Sequence, residues 1–191
     1  MKPAIFLDRD GTLIEEVNFL HKPEQVRLTP GVVESIRKAN QLSVPVIVVS
    51  NQSGVARGLF SEADVHKVHQ HIDSLLGKEG ARIDSWFFCP HYPLKDGSAY
   101  DRSCRCRKPG TGMFEEAAGR FPIHFGTSLM VGDKEMDILA GRSMGMRCAL
   151  VETGYGRSLS TRIELTPSDY VFVNAGQAIR WFTDKLEAYE N

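Results

Sequence analysis

Four places in the chain gather residue types that handle phosphate. Asp8-Arg9-Asp10-Gly11-Thr12 sets two carboxylates on either side of one arginine. Carboxylates that close can share a hard cation such as Mg²⁺, and one can attack phosphorus while the other handles a proton. Gly11 lets the backbone turn sharply enough for amides to approach a phosphate. Ser50-Asn51-Gln52-Ser53-Gly54 offers a hydroxyl and a run of amides for phosphoryl oxygens. Arg107-Lys108-Pro109 supplies two cations. Lys108 is suited to neutralise a phosphate and its nucleophile, Arg107 to meet a second anionic or hydroxyl-rich part of a substrate. Gly132-Asp133-Lys134 brings a carboxylate to complete a cation site with Asp8 and Asp10, and a lysine for the phosphate or the substrate body. Asp137 reads as an acid in the first turn of a helix, favoured there by the macrodipole, more than as support for the site.

A second constellation is Cys89-x-His91, twelve residues, then Cys104-x-Cys106. Three thiols and an imidazole in two close pairs make a closed tetrahedral set, the signature of structural Zn²⁺. A disulfide reading leaves one of these three cysteines over and His91 without a role. The polar loop between the pairs has too few apolar side chains to hold itself down, so a metal staple makes physical sense. Arg107 and Lys108 follow directly, on backbone the staple would fix. Cys148 reads as a small core residue. His66, His69 and His71 suggest a metal cluster at first sight, but no carboxylate or thiol stands convincingly near them, and they read as a solvated helix face.

The phosphate-handling residues need elements that bring them together. Ala4–Leu7, Val44–Val49, Ile83–Phe88, Ser128–Val131, Arg147–Val151 and Tyr170–Val173 are short, mostly apolar runs, which predict buried parallel strands. The first, second and fourth end in the small polar and acidic residues named above. In open α/β sheets ligands bind at that carboxyl edge. Between the strands, 32–41, 62–76, 113–120, 138–144 and 175–189 carry one apolar face each, and Ser61 starts the second with a capping-box pattern. Residues 13–28 have no clean period and read as a loop beside the site, where Asn18 and its neighbours could touch a substrate. Thr153–Arg157 reads as a loop on the same edge. Regular alternation of strand and helix predicts an α/β fold, a Rossmann-like doubly wound parallel sheet with helices on both faces. All 191 residues then form one domain, with the zinc loop 89–106 inserted and no large cap domain.

The bulk numbers narrow the function. A net charge of −1 with acids and bases dispersed gives no case for nucleic acid or a membrane surface. No apolar run has transmembrane length, and Met1-Lys2-Pro3 leads straight into a strand, so the cytoplasm is the expected location. With no apolar heptad or conspicuous exposed patch, a monomer is expected.

In this order, Asp8–Thr12, Ser50-Asn51, Lys108 and Gly132-Asp133 resemble the four motifs of the haloacid dehalogenase-like phosphohydrolases, a match spanning Asp8 to Asp137. The resemblance implies that Asp8 is the nucleophile, forming an aspartyl-phosphate. Asp10 would protonate the leaving oxygen and then activate water. Ser50 and Lys108 would steady the phosphoryl group, and Asp8, Asp133 and the backbone carbonyl of Asp10 would hold Mg²⁺. Only about forty residues separate the first two motifs, which leaves no room for a large helical cap.

Asn51-Gln52-Ser53-Gly54-Val55-Ala56-Arg57-Gly58, with Cys89-Pro90-His91 and Cys104-Arg105-Cys106-Arg107-Lys108-Pro109, is more narrowly similar to the D-glycero-D-manno-heptose 1,7-bisphosphate 7-phosphatases of nucleotide-heptose and lipopolysaccharide synthesis. By that resemblance the substrate is a small phosphorylated sugar. Arg9, Glu16, Val17, Asn18, Phe19, Asn51, Gln52, Ser53, Arg107 and Lys134 would bind it, Glu16 to Phe19 matching the family's substrate loop by position. Gly110-Thr111 stands where the family commonly has a bulkier pair. Histidinol-phosphate phosphatases share the fold and a similar zinc loop, but Ser53–Gly58 is closer to the heptose enzymes. A 3′-polynucleotide phosphatase would want a basic groove. A zinc-stapled binding module for a phosphorylated ligand is the non-enzyme alternative.

Overall fold

The computed structural model describes residues 1–190. Six strands form one all-parallel sheet: β1 (Ile5–Leu7), β2 (Val46–Asn51), β3 (Ser85–Cys89), β4 (Leu129–Gly132), β5 (Arg147–Val151) and β6 (Asp169–Phe172), in the order β3-β2-β1-β4-β5-β6. The helices are α1 (Val32–Gln41), α2 (Glu62–Lys78), α3 (Gly112–Arg120), α4 (Glu135–Ser143), α5 (Gly156–Leu159) and α6 (Ala175–Glu190).

The period-two alternation of a strand divides the core in two. Ile5, Leu7, Val46, Val48, Leu129 and Val131 face one way and pack with the apolar stripes of α1, α2 and α6. Phe6, Ile47, Val49, Phe87, Met130 and Leu150 face the other and pack with α3 and α4. Strands covered on both faces must be apolar throughout, which is why their sequences run rather than alternate. The doubly wound expectation holds. The order reverses on either side of β1, so β1 and β4 flank the crevice where such sheets bind ligands.

Three local expectations change. β3 runs one residue further than expected, so Cys89 is the last residue of a strand, not the start of a loop. The stretch expected as a plain loop after β5 contains the single turn α5. His69 is not on a solvated face: it is 3% exposed, its ring stacked on Trp86 at 4.2 Å and edge-on to Phe88. His66 and His71 are exposed and half-buried on the same helix. Burial disfavours the charged imidazole and drives the His69 pKa down to about 2, helped by the Arg9 charge. Cys148 is buried in the core as expected. Among the described residues no helix is long and apolar enough to cross a membrane.

Candidate active site

β1 delivers Asp8 to the sheet edge, where its backbone N–H still donates to the Val131 carbonyl of β4 at 2.9 Å. The chain then turns at Gly11, whose φ of 84° a residue with a side chain rarely adopts. A methyl on Gly11 or on Gly154 would also collide with the Asp133 carboxylate, so both glycines let Asp133 stand against the turn. The Asp133 Oδ2 accepts from the Tyr155 N–H at 2.9 Å and its Oδ1 from Lys134 Nζ at 2.9 Å.

Lys108 reaches the centre of this site from the far side of β2. Its ammonium is buried and has three partners for three protons: Asp8 Oδ1 at 2.9 Å, Asp137 Oδ1 at 2.6 Å and the Val49 carbonyl at 2.6 Å. Asn51 fixes the Lys108 backbone, accepting from its N–H at 2.9 Å and donating to its carbonyl at 3.1 Å. The expectation for Asp137 needs correction. It does cap α4, taking the Lys134 N–H on Oδ2, but it is fully buried and its other oxygen is the ion-pair partner of Lys108. The helix N-terminal pattern hid the second role, because both use the same residue type at the same place.

Three buried carboxylates, Asp8, Asp133 and Asp137, therefore face two ammonium groups. Burial alone would raise the Asp8 carboxyl, but Lys108 and Lys134 outweigh it and hold it below the usual carboxylate range. Burial pushes the Asp133 carboxyl up to about 7 against the pull of Lys134, and raises that of Asp137 against Lys108. Lys134 also pairs with Glu16 at 3.3 Å, so the two ammonium groups face four carboxylates, an acidic excess that suits a divalent cation. Carboxylate oxygens of Asp8, Asp133 and Asp137 lie within 4.8 Å of one another. Lys134 Nζ marks where a cation sits: 3.5 Å from Asp8 Oδ2, 2.9 Å from Asp133 Oδ1 and 3.0 Å from the Asp10 carbonyl. These are the oxygens expected to hold Mg²⁺, and their hard donor set fits it. The Asp10 carboxylate turns away, held by Arg9 and Gln52.

A pocket of about 250 Å³ opens above these groups. Asp8, Arg9, Asp10, Glu16, Asn18, Phe19, Asn51, Gln52, Ser53, Arg107, Lys108 and Lys134 all line it. Val17 does not: it packs against the core behind the loop. Ser50 and Asp133 lie beneath the floor, 1% and 0% exposed. Leu20, Gly54, Phe60, Met136, Asp137 and Tyr155 also line the pocket. Leu20, Phe60 and Met136 carry no chemical signal in a sequence; Gly54 and Tyr155 fall in loops expected at this edge, and Asp137 is hidden by its helix-capping pattern. Arg107, which lines the pocket, and Arg57 both stack on the Tyr92 ring, at 4.8 and 4.4 Å from its centre.

Beside the pocket the second constellation has assembled. Cys89, His91, Cys104 and Cys106 place one ligand atom each within 4.8 Å of the others. The thiols are free, with Sγ atoms 3.1 to 3.4 Å apart, far beyond a disulfide bond. Four soft donors converging on one point fit a closed Zn²⁺ site. Gly110 lies so near the Arg105 and Arg107 carbonyls that a Cβ there would collide with both, so the bulkier residue common at this point has no room.

Sheet order, carboxylates at the ends of β1 and β4 and a buried lysine between them define a haloacid dehalogenase-like hydrolase. A family model described as HAD-hydrolase-like matches residues 105–177. The D-glycero-alpha-D-manno-heptose-1,7-bisphosphate 7-phosphatase of Photorhabdus laumondii is 40% identical over 82% of this chain and 86% of its own. The D-glycero-D-manno-heptose-1,7-bisphosphate 7-phosphatase of Thermosynechococcus vestitus is 37% identical over 97% of both chains. The crystal structure of the D,D-heptose 1,7-bisphosphate phosphatase of B. bronchiseptica, complexed with magnesium and phosphate, superposes with a TM-score of 0.84 at 30% identity, covering 98% of this chain and 99% of that one. The chain belongs to the heptose-1,7-bisphosphate 7-phosphatase family of phosphoric monoester hydrolases.

Proposed function

We propose that this chain removes the C7 phosphate of D-glycero-D-manno-heptose 1,7-bisphosphate through an aspartyl-phosphate on Asp8. The observation that carries the reading is the Asp8 carboxylate, 4% exposed and kept ionised between two ammonium groups at the floor of the pocket. Such a carboxylate is a ready nucleophile and its surroundings are already cationic, as an incoming phosphate requires. Asp8 attacks phosphorus and the bond to the sugar oxygen breaks. Asp10 gives that oxygen a proton, then takes one from the water that attacks phosphorus and frees Asp8. Lys108 and the Ser50 hydroxyl hold the phosphoryl oxygens. Asp8, Asp133 and the Asp10 carbonyl would hold Mg²⁺, which when bound would neutralise phosphoryl charge. Glu16, Asn18, Phe19, Ser53, Arg107 and Lys134 contact the sugar and its second phosphate. Zn²⁺ on Cys89, His91, Cys104 and Cys106 holds the loop that carries Arg107 and Lys108. The relatives named above support the substrate, and none of them carries a histidinol-phosphate name. We read the chain as a monomer working in the cytosol, where its cysteines, none of them in a disulfide, would stay reduced.

The test is phosphate release from both anomers of heptose 1,7-bisphosphate, histidinol phosphate and fructose 1,6-bisphosphate, with Mg²⁺ and with EDTA. The heptose substrate should lead by orders of magnitude in kcat/KM, and Asp8→Asn should remove the activity. Preference for histidinol phosphate would overturn the substrate and leave the nucleophile standing.

A further inference from the structure

Gln52 was expected to touch substrate, but both of its N–H groups and one lone pair of its oxygen are already taken. It is 4% exposed, Oε1 accepts from Arg9 Nη2 at 3.1 Å, and Nε2 donates to Asp10 Oδ2 and to Ser50 Oγ, each at 2.8 Å. We propose that Gln52, locked in one orientation by Arg9, is the positioning residue that aims both the Ser50 hydroxyl and the Asp10 carboxylate. The proposal rests on the aspartyl-phosphate route above.

The lock follows from donor chemistry. A guanidinium has donors and no acceptor, so the side of the Gln52 amide that meets Arg9 must be its oxygen. The nitrogen is then forced to the other side, towards Asp10 and Ser50. Arg9 is itself immobile, 1% exposed, with Nε on Asp10 Oδ2 at 3.0 Å and Nη2 on Asp10 Oδ1 at 3.0 Å. Nη2 also donates to the Leu20 carbonyl at 3.2 Å, so the pocket loop that carries Asn18 and Phe19 is tied to the same unit.

Two consequences reach the chemistry. Because Ser50 Oγ accepts from Gln52, its single proton is directed elsewhere, and no hydrogen bond among the described residues takes it. That proton is free for a phosphoryl oxygen. The Asp10 carboxylate receives three N–H donors, two from Arg9 and one from Gln52. Its plane and rotamer are thereby fixed before substrate arrives, which is the pre-organisation an acid–base group needs.

Gln52→Glu and Gln52→Leu separate this role from a packing role. Glu keeps the volume but replaces the N–H donors by a second acceptor, which would capture the Ser50 proton and repel Asp10. Leu loses the donors and captures nothing. With Mg²⁺ and both p-nitrophenyl phosphate and heptose bisphosphate, Gln52→Glu should lower kcat about 100-fold or more, the size expected for a lost phosphoryl donor with a misaimed acid. Gln52→Leu should cost about tenfold, one net hydrogen bond. In a Ser50→Ala background the extra penalty of Glu over Leu should shrink, because the proton it captures is gone. Thermal melts of each variant check that it is folded. Glu milder than Leu would mean packing only, and a rise in KM with kcat intact would mean direct substrate contact. Either result overturns the proposal. If heptose bisphosphate is not turned over while p-nitrophenyl phosphate is, the substrate reading fails and the ranking of the two variants still decides this one.

Discussion

Two clusters of metal-ligating residues lie side by side at one edge of the sheet, and they are built on opposite plans. The oxygen cluster of Asp8, Asp133 and Asp137 stands on the ends of two central strands and the first turn of a helix, fully buried, with Lys108 and Lys134 already inside it. The sulfur cluster has one ligand on a strand, Cys89, and three on a loop. Within that loop, 92–103 is mostly exposed, tied by Asp101, which accepts from the Lys95 and Gly97 N–H groups, and by Tyr92, on whose ring Arg57 and Arg107 stack. Its neighbouring cation, Arg102, lies 2.7 Å from His91 Nε2, on the ring nitrogen away from the thiols. The first cluster carries its own counter-charges and keeps its shape without a metal. The second, on the zinc reading proposed above, depends on the metal to keep its shape. A catalytic metal site and a structural one therefore differ in what replaces the ion when it leaves.

The sharpest way to break the comparison is to remove a built-in cation. Lys108→Met leaves Asp137 buried and unpaired and Asp8 with Lys134 alone. It should cost about 3–5 kcal/mol in denaturant unfolding, and phosphate release should fall at least about 10³-fold. Withholding Mg²⁺, by contrast, should stop the reaction and leave the melting temperature nearly unchanged. A Lys108→Met protein as stable as the parent would show that the lysines are not the structural counter-ions of the site.

Zinc removal comes next in size. A strong thiol-compatible chelator, or Cys104→Ala, should open residues 92–103 to proteolysis and lower kcat/KM about tenfold or more, because the displaced backbone carries Arg107 and Lys108. Protease resistance and full activity in verified zinc-free protein would contradict the comparison.

Lys134→Met tests whether the ammonium and the divalent cation compete for the same oxygens. Calorimetry without substrate should find Mg²⁺ bound about tenfold more tightly, the worth of one displaced ion pair. Unchanged or weaker affinity would mean that Lys134 helps the metal instead of standing in for it.

The last prediction lies away from both clusters. The folded-state pKa of His69 is depressed below that of the unfolded chain, so the unfolded state binds more protons in acid and stability is lost as pH falls below about 6.5. At pH 5 this one group costs about 2 kcal/mol. His69→Leu should remove that part of the acid sensitivity in urea unfolding between pH 7 and pH 5, and equal slopes in the two proteins would exclude it.

Much of this was legible from the sequence because buried parallel strands announce themselves as apolar runs, and polar residues at their ends have one edge to occupy. Asp8, Lys108 and Asp133 meet where that argument puts them. Orientation was not legible. The sequence could nominate Asn51 and Gln52 beside a pocket, but their amides point into the protein, one onto the Lys108 backbone and one onto Asp10 and Ser50. Val17 and Asn18 differ by one residue and end on opposite sides of their loop. His69 could not be placed because helical period alone does not say how wide the buried stripe is, and an aromatic neighbour from another element, Trp86, widened it.

That stack has a spectroscopic consequence. The two tryptophans of the chain stand at opposite margins of the sheet: Trp86 on β3 against His69, and Trp181 on α6 with its ring 4.3 Å from Tyr170 of β6. Each margin thus carries its own intrinsic fluorophore. Trp86→Phe and Trp181→Phe proteins leave one emitter apiece, so the loosening of either border can be followed separately by light emission, without a label.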